Sequence, residues 1–137
     1  MSRVKEKIKE VAERSGLQLI YAFGSRAKEA LMMVEGKIGH LPPELSDLDI
    51  GIKPESPLTV EEKVEIALAF EEVFDVPRVD LVVLSDAPVF LALEIVTGEL
   101  LYANDSTYEA EYQLYIMRRA AELIPYERMK EEMILGR

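Results

Sequence analysis

The chain has 137 residues, of which 49% are hydrophobic and none is cysteine, and its formal net charge is −10. This composition predicts one domain, residues 1–137, without disulfides, thiol nucleophiles or cysteine-based zinc sites, and without a membrane-length apolar run, which favours the cytoplasm. The acidity argues against direct binding of nucleic acid, which depends on a basic face, and is compatible with a basic protein partner.

The hydrophobic pattern of the first 23 residues predicts a helix followed by a strand. Apolar residues at Val4, Ile8 and Val11, with charged residues between them, indicate a helix over residues 2–15. The continuous apolar run over residues 17–23 then indicates a buried strand.

Gly24 and Ser25 end this strand, and the residues from Arg26 onward are typical of the first turns of a helix. A strand that stops at Gly-Ser before a helix offers free backbone N–H groups, a hydroxyl and the positive end of the helix dipole to one point. We therefore predict a phosphate-binding site at Gly24 and Ser25. The alternative is a turn glycine with a Ser N-cap, which exposes the same donors. Arg26 is either a further phosphate ligand or a solvated helix residue.

Residues 31–46 are predicted to form an irregular insertion, because the segment contains two glycines and a Pro-Pro pair. A flap over a bound ligand, a partner-binding loop and a tolerated surface insertion all remain open for it. The segment contains His40, the one histidine of the chain, to which we assign no catalytic role.

Asp47 and Asp49 lie at the start of the second predicted strand, residues 47–52. Side chains alternate along a strand, so both carboxylates leave the same face and repel each other unless a cation lies between them. Hard oxygen ligands of this kind suit Mg²⁺. Taken alone, however, such a pair is more often two solvated surface acids, so a metal site needs support from other motifs.

A capping box begins the next predicted helix, since Thr59 is followed three residues later by Glu62. Its predicted buried stripe consists of Val60, Val64, Ala67, Phe70 and Phe74. The third strand, residues 78–84, is almost continuously apolar and is therefore predicted to be central in the sheet.

The last elements are a helix over residues 89–96, a strand over residues 99–103 and a C-terminal helix over residues 105–135 with a break near Pro125. Three tyrosines on one face of that helix are expected to pack in the core or against a partner rather than stack on a base: Tyr108, Tyr112 and Tyr115. The alternation of elements predicts an α/β (α+β) fold with a small mixed sheet flanked by helices.

Gly24-Ser25, Asp47-x-Asp49 and a third acid, Asp80, follow one another at successive strand ends. This arrangement resembles the polymerase-β-like nucleotidyltransferase superfamily, and most closely its minimal (MNT) branch. The resemblance continues through residues 94–102 and the helix after them, so it covers nearly the whole chain. It implies a polymerase-β-like nucleotidyltransferase fold with a long C-terminal helix. The spacer over residues 31–46 is longer than is usual in the family.

The resemblance implies an enzyme, a Mg²⁺-dependent nucleotidyltransferase that transfers AMP from ATP to a hydroxyl acceptor. Two Mg²⁺ ions, roughly 3.5–4 Å apart in such sites, would be held by the catalytic acids Asp47, Asp49 and Asp80. Gly24 and Ser25 would help to bind the triphosphate. For Asp80, the alternative is an acid at the start of a strand that pairs with Arg78.

Proteins that this chain resembles belong to toxin–antitoxin modules, in which the minimal nucleotidyltransferase is the antitoxin and a HEPN-domain ribonuclease is the toxin. The resemblance implies AMPylation of a tyrosine on that HEPN toxin. Two alternatives remain: a small-molecule acceptor, as in aminoglycoside nucleotidyltransferases, and a non-catalytic module that binds a nucleotide or a partner. Neither direct nucleic-acid binding nor membrane binding is expected.

Overall fold

The computed structural model describes residues 3–43 and 46–136, and within them helices and strands alternate along the chain. Short 3₁₀ turns, Gly24–Arg26 and Leu84–Asp86, follow the first and third strands. The elements in chain order are α1 (Arg3–Ser15), β1 (Leu17–Phe23), α2 (Ala27–Val34), β2 (Leu48–Pro54), α3 (Val60–Phe74), β3 (Val79–Val83), α4 (Val89–Val96), β4 (Glu99–Ala103) and α5 (Ser106–Leu135). The predicted first helix included residue 2, which lies outside the described residues.

The strands form one mixed sheet in the order β3-β2-β1-β4. β1 pairs antiparallel with both β2 and β4. β2 and β3 run parallel because α3 crosses over between them. The small mixed sheet flanked by helices that the sequence predicts is therefore confirmed.

The sheet separates two layers of apolar side chains, because successive residues of a strand point to opposite faces. On one face, Ile20 and Ala22 of β1 pack with residues of α1, α2 and α3. On the other face, Leu19, Tyr21 and Phe23 pack with residues of α4 and α5. Asp49 is the strand partner of Phe23, so its side chain lies on the α4 face of the sheet.

β3 is an edge strand, so the prediction that it is central is wrong. Leu81 and Val83 pack against the α3 side of the sheet, whereas Val82 packs against the other side, and all three are only half-buried. The strand is apolar because both of its faces are covered, although one of its edges is free. An apolar run therefore indicates that both faces of a strand are covered, but it does not indicate whether the strand is central or at the edge of the sheet.

α3 buries Ile66, Phe70 and Phe74, and the predicted stripe is correct only in part. Ala67 is half-buried, while Val60 and Val64 are 70% and 52% exposed. The predicted capping box is present, since Thr59 and Glu62 exchange hydrogen bonds of 2.9 and 3.1 Å. The start of the helix and the burial of Phe70 and Phe74 were predicted correctly, whereas the buried face is rotated away from Val60 and Val64 toward Ile66.

α5 continues through Pro125, so the predicted break is absent. Asp105 caps the helix by accepting hydrogen bonds from the N–H groups of Thr107 and Tyr108. Tyr108 and Tyr112 pack against the α4-side core, as predicted. Beyond Ala120 the helix carries exposed large apolar side chains at Ile124, Tyr126, Met129, Met133 and Ile134. No helix within the described ranges, α5 included, is long and apolar enough to cross a membrane.

The irregular segment between α2 and β2 is shorter than predicted, and one of its described residues reaches the core. α2 extends to Val34, so the first residues of the predicted insertion 31–46 are helical. Val34 is buried, and Leu41 is buried in the same layer of the core. Residues 44 and 45 lie outside the described residues. The irregular part is therefore anchored in the core at Leu41, while most of its other described residues are exposed.

Candidate active site

Asp49 and Asp80 are direct neighbours on the parallel strands β2 and β3. On the other side of Asp49, the last residue of β1, Phe23, is its antiparallel partner. The end of β1 and the beginnings of β2 and β3 therefore meet at one edge of the sheet. This register brings together two of the three predicted acids and the Gly-Ser turn.

Gly24 is in close contact with the carboxylate of Asp49. Its φ of +74° lies in the left-handed region, and a Cβ built on it would be 2.5 Å from Oδ2 of Asp49. A side chain at this position would therefore both strain the backbone and displace the carboxylate. Because residue 24 is glycine, the backbone at the end of β1 can approach the carboxylate of Asp49 closely.

Ser25 lies in the 3₁₀ turn that connects β1 to α2, and it is exposed. The N–H of Ala27 donates to the carbonyl of Gly24 and closes this turn. No side-chain hydrogen bond caps either the turn or α2, so Ser25 does not act as the N-cap. Its exposed hydroxyl lies next to Gly24, where the sequence predicts phosphate binding.

Arg26 is 3% exposed, which excludes the interpretation of a solvated helix residue. Its Nη2 donates to the carbonyl of Pro42 at 2.5 Å, and its Nη1 donates to the carbonyl of Ser46 at 3.3 Å. Both bonds reach the segment between α2 and β2. A role of Arg26 in phosphate binding stays a prediction, whereas its contact with this segment is a structural finding that the sequence did not suggest.

Asp47 pairs with Arg78 through a distance of 3.4 Å between Oδ2 and Nε. The alternative for Asp80 had assigned Arg78 to that acid instead. The side chains of Arg78 and Asp47 are 77% and 41% exposed, so water screens this ion pair and it contributes little stability. Asp47 therefore lies at the same edge of the sheet, but its side chain contacts an arginine.

Negative charge is concentrated around Asp49. Burial raises the pKa of Asp49, and so do the charges of Asp80 and Asp47, a hydrogen bond that the protonated carboxyl forms with Asp80, and the charge of Glu94. Glu94, on α4, is a site neighbour that the sequence analysis missed. The next residue, Ile95, packs on Gly51, and this packing brings α4 over the middle of β2.

A divalent cation would relieve this repulsion, and the carboxylate donors are those that Mg²⁺ prefers. Within residues 3–43 and 46–136, however, no three acidic or histidine side chains are already gathered as a metal site. Asp49 and Asp80 fit such an ion as a pair. Asp47 fits only if its side chain leaves Arg78.

A cavity of about 400 Å³ lies away from these acids. Among its lining residues, Lys53 is near the end of β2, Ser85 follows β3 and Arg119 belongs to α5. The acids are at the beginnings of the same two strands. The cavity therefore does not coincide with the candidate site, which is an open edge of the sheet.

The model of the family described as polymerase beta, nucleotidyltransferase matches residues 6–107. The chain belongs to this family. The matched range includes the Gly-Ser turn and all three acids, and it extends into the first residues of α5. The resemblance inferred from the sequence is thus confirmed. No curated protein matches the chain in a sequence comparison.

Three solved structures illustrate the likeness of the fold. A mutant toxin–antitoxin complex containing MntA is 21% identical, with a TM-score of 0.72 over 96% of this chain and 98% of that chain. A toxin–antitoxin complex with AMP-PNP is 22% identical, with a TM-score of 0.69 and the same shares of the two chains. The tri-AMPylated Shewanella oneidensis HEPN toxin in complex with MNT antitoxin is 22% identical, with a TM-score of 0.69 over 96% of each chain. At this identity, the likeness establishes the shared nucleotidyltransferase fold.

Proposed function

We propose that this chain transfers AMP from ATP to a tyrosine hydroxyl of a HEPN toxin and thereby acts as its antitoxin. The observation that carries the proposal is the strand register, in which Asp80 is the direct neighbour of Asp49, together with the close contact of Asp49 and Gly24. Two similar structures support it, one an AMPylated HEPN toxin with MNT antitoxin and one a complex with AMP-PNP. The net charge of −10 favours a basic protein as acceptor. The cytoplasm, where ATP is available, is the proposed location.

Different residues bind the substrate and accept the proton in the proposed reaction. Backbone N–H groups at Gly24 and the hydroxyl of Ser25 bind the triphosphate. The tyrosine oxygen attacks the α-phosphorus, a new P–O bond forms, the bond to the β-phosphate breaks, and pyrophosphate leaves. Asp80 is exposed and accepts the tyrosine proton. Two Mg²⁺ ions, when bound by Asp47, Asp49 and Asp80, would neutralise the triphosphate and lower the pKa of the acceptor hydroxyl.

The arrangement of the acids makes a purely non-catalytic module less suitable. Burial and, after it, repulsion by the charge of Asp80 raise the pKa of Asp49, so the two acids are held together at an energetic cost. A scaffold that only binds a partner gains nothing from this repulsion. A nucleotidyltransferase uses it, because a cation bound with the nucleotide relieves it.

The test is a transfer assay with ATP labelled at the α-phosphate, Mg²⁺ and an extract of the source cells. Asp80→Asn removes the proposed proton acceptor while it keeps the shape of the side chain. The matched control is Asp86→Asn, because Asp86 is an exposed aspartate beyond the far end of the same strand, where its carboxylate lies 4.0 Å from Lys63.

We expect label on one protein, on tyrosine, with the wild type and with Asp86→Asn, and none with Asp80→Asn. Label on a small molecule would replace the toxin with a small acceptor and overturn the proposed partner. Equal labelling by Asp80→Asn would overturn the role of Asp80. An absence of any label, despite measured ATP binding, would overturn the proposed reaction.

A further inference from the structure

Arg26 is the buried charged side chain of the described residues, and it follows the Gly-Ser turn directly. A guanidinium without partners in the protein interior is costly, so the groups that satisfy it determine where its surroundings lie. Two of these groups are the backbone carbonyls of Pro42 and Ser46, at 2.5 and 3.3 Å. The planar fork of one side chain therefore contacts two points of the segment that leads into β2.

Ser46 immediately precedes Asp47, so the bond from Arg26 acts one residue before a proposed metal ligand. On the other side of Asp47, Leu48 is fully buried as the first residue of β2, and its N–H donates to the carbonyl of Arg78 at 3.3 Å. Asp47 itself is partly exposed and forms an ion pair with the exposed side chain of Arg78, which water screens. The position of Asp47 is therefore fixed mainly by its two neighbours, Ser46 and Leu48.

We propose that Arg26 is a positioning residue. It holds the backbone at Pro42 and at Ser46 against the 3₁₀ turn and thereby sets the distance of Asp47 from Gly24 and Asp49. The proposal assigns Arg26 to the backbone of this segment instead of to a phosphate. The part of the proposal that concerns metal-dependent nucleotide binding rests on the proposed function. The part that concerns the order of the segment does not, because hydrogen exchange measures that order without any ligand.

A positioning role and a phosphate-binding role predict different results. If Arg26 positions Asp47, its loss disorders the segment and raises the Mg²⁺ concentration that nucleotide binding requires, and excess Mg²⁺ restores binding. Removal of a residue that supports a metal ligand typically lowers metal affinity by about 10–100-fold. If Arg26 binds a phosphate, its loss weakens nucleotide binding at every Mg²⁺ concentration and leaves the segment ordered.

The variants are Arg26→Met, which removes all donors, and Arg26→Lys, which keeps the charge but lacks the planar fork. The matched control is Lys28→Met, because Lys28 is an exposed cation in the first turn of α2 and its loss changes the net charge equally. Hydrogen exchange is followed for a peptide over residues 38–48. Binding of AMP-PNP is titrated calorimetrically over a range of Mg²⁺ concentrations.

We expect faster exchange of this peptide in both Arg26 variants, and a Mg²⁺ requirement raised by roughly tenfold or more. Lys28→Met is expected to match the wild type in both measurements. Unchanged exchange in Arg26→Met would overturn the proposal, as would a loss of affinity that excess Mg²⁺ does not restore and that Arg26→Lys repairs. If Arg26→Met does not fold, Arg26→Lys decides alone. If the wild type binds no AMP-PNP, the proposed function fails, and hydrogen exchange still decides the role of Arg26.

Discussion

Replacing Gly24 with alanine tests the geometry of the candidate site most directly. Gly24 has a φ of +74°, and an added Cβ would lie 2.5 Å from Oδ2 of Asp49. Alanine therefore brings two separate costs. One is the left-handed backbone, which glycine adopts freely and alanine does not. The other is the overlap with the carboxylate, which must move away from the turn.

The two costs have different magnitudes and different consequences. The left-handed conformation costs alanine about 1–2 kcal/mol. Relief of an overlap in packed surroundings costs about 1–3 kcal/mol. We expect Gly24→Ala to lower the free energy of unfolding by about 2–5 kcal/mol, because both costs apply. For a chain of this size, this corresponds to a fall in Tm of roughly 7–17 °C.

Gly16→Ala is the matched control. Gly16 has a φ of +66°, and a Cβ built on it meets nothing within 4 Å. Alanine at this position therefore brings the backbone cost alone, about 1–2 kcal/mol. The difference between the two variants measures the overlap with Asp49. In an Asp49→Ala background that overlap disappears, so Gly24→Ala should then cost no more than Gly16→Ala.

The assay combines thermal unfolding with calorimetric binding of AMP-PNP in the presence of Mg²⁺. We expect Gly24→Ala to lose nucleotide binding at a temperature where it remains folded, whereas Gly16→Ala retains it. Equal destabilisation by the two variants would refute the close contact of Gly24 with Asp49. Wild-type binding by Gly24→Ala would refute the assignment of the turn to the nucleotide site.

Three further predictions address the acids, a tyrosine and the end of α5. The double variant Asp47→Asn with Asp49→Asn should keep its fold and lose Mg²⁺-dependent nucleotide binding, and unchanged affinity in calorimetry would contradict the site assignment. Burial, followed by neighbouring tyrosines, raises the pKa of Tyr112 from 10.0 to about 12. The folded state therefore retains this proton longer than the unfolded state, and stability falls as the pH rises from 10 to 12. In denaturant titrations, Tyr112→Phe should lose less stability over this interval, and equal losses would show that Tyr112 does not titrate there. Met129→Glu with Met133→Glu should leave Tm unchanged, because these side chains are 58% and 77% exposed, and should weaken capture of the proposed toxin; full capture would exclude this face of α5 from the interface.

Elements with strong local signals were predicted with the correct bounds. Leu17–Phe23, Val89–Val96 and Glu99–Ala103 are the strand, helix and strand that the sequence indicates. Glycine ends the first strand at Gly24, and Gly98 separates the helix from the last strand. In each case the hydrophobic run and its termination lie within a few residues, so no distant contact was needed to find them.

The wrong predictions concern features that depend on contacts between residues distant in the sequence. In α3, Val60 and Val64 fit one apolar face, and Ile66 and Phe70 fit another. Local periodicity does not decide between the faces. The sheet decides, because it packs against the face that carries the phenylalanines. In α5, Pro125 lies in an exposed stretch of helix, where loss of one hydrogen bond does not end the element.

The same distinction applies to the candidate site. Strand alternation predicts a common face for Asp47 and Asp49, and this stays a prediction because Asp47 precedes β2 and pairs with Arg78. The parallel register of β2 and β3 brings Asp80 beside Asp49. The orientation of the Arg26 side chain follows neither from strand alternation nor from the pairing of the strands. Two of its partners are backbone carbonyls, which every residue has, so no residue type in the sequence marks these two contacts. A buried arginine of this kind is found only when the path of the segment between α2 and β2 is known.

The pairing of Asp47 with Arg78 leads to one more prediction about the acids. Gathering three carboxylates without a cation is unfavourable, and the chain gathers two while Arg78 holds the third. Exposed ion pairs contribute about 0.2–1 kcal/mol, so freeing Asp47 should change metal affinity by up to roughly fivefold.

Arg78→Met should therefore lower the Mg²⁺ concentration needed for half-maximal AMP-PNP binding by a few-fold. In this variant Asp47 does not have to leave the guanidinium of Arg78 before it binds Mg²⁺. Arg14→Met, an exposed arginine on α1, removes the same charge elsewhere and should have no effect. A higher Mg²⁺ requirement in Arg78→Met would show that Arg78 contributes to nucleotide binding and does not hold Asp47 away from the metal.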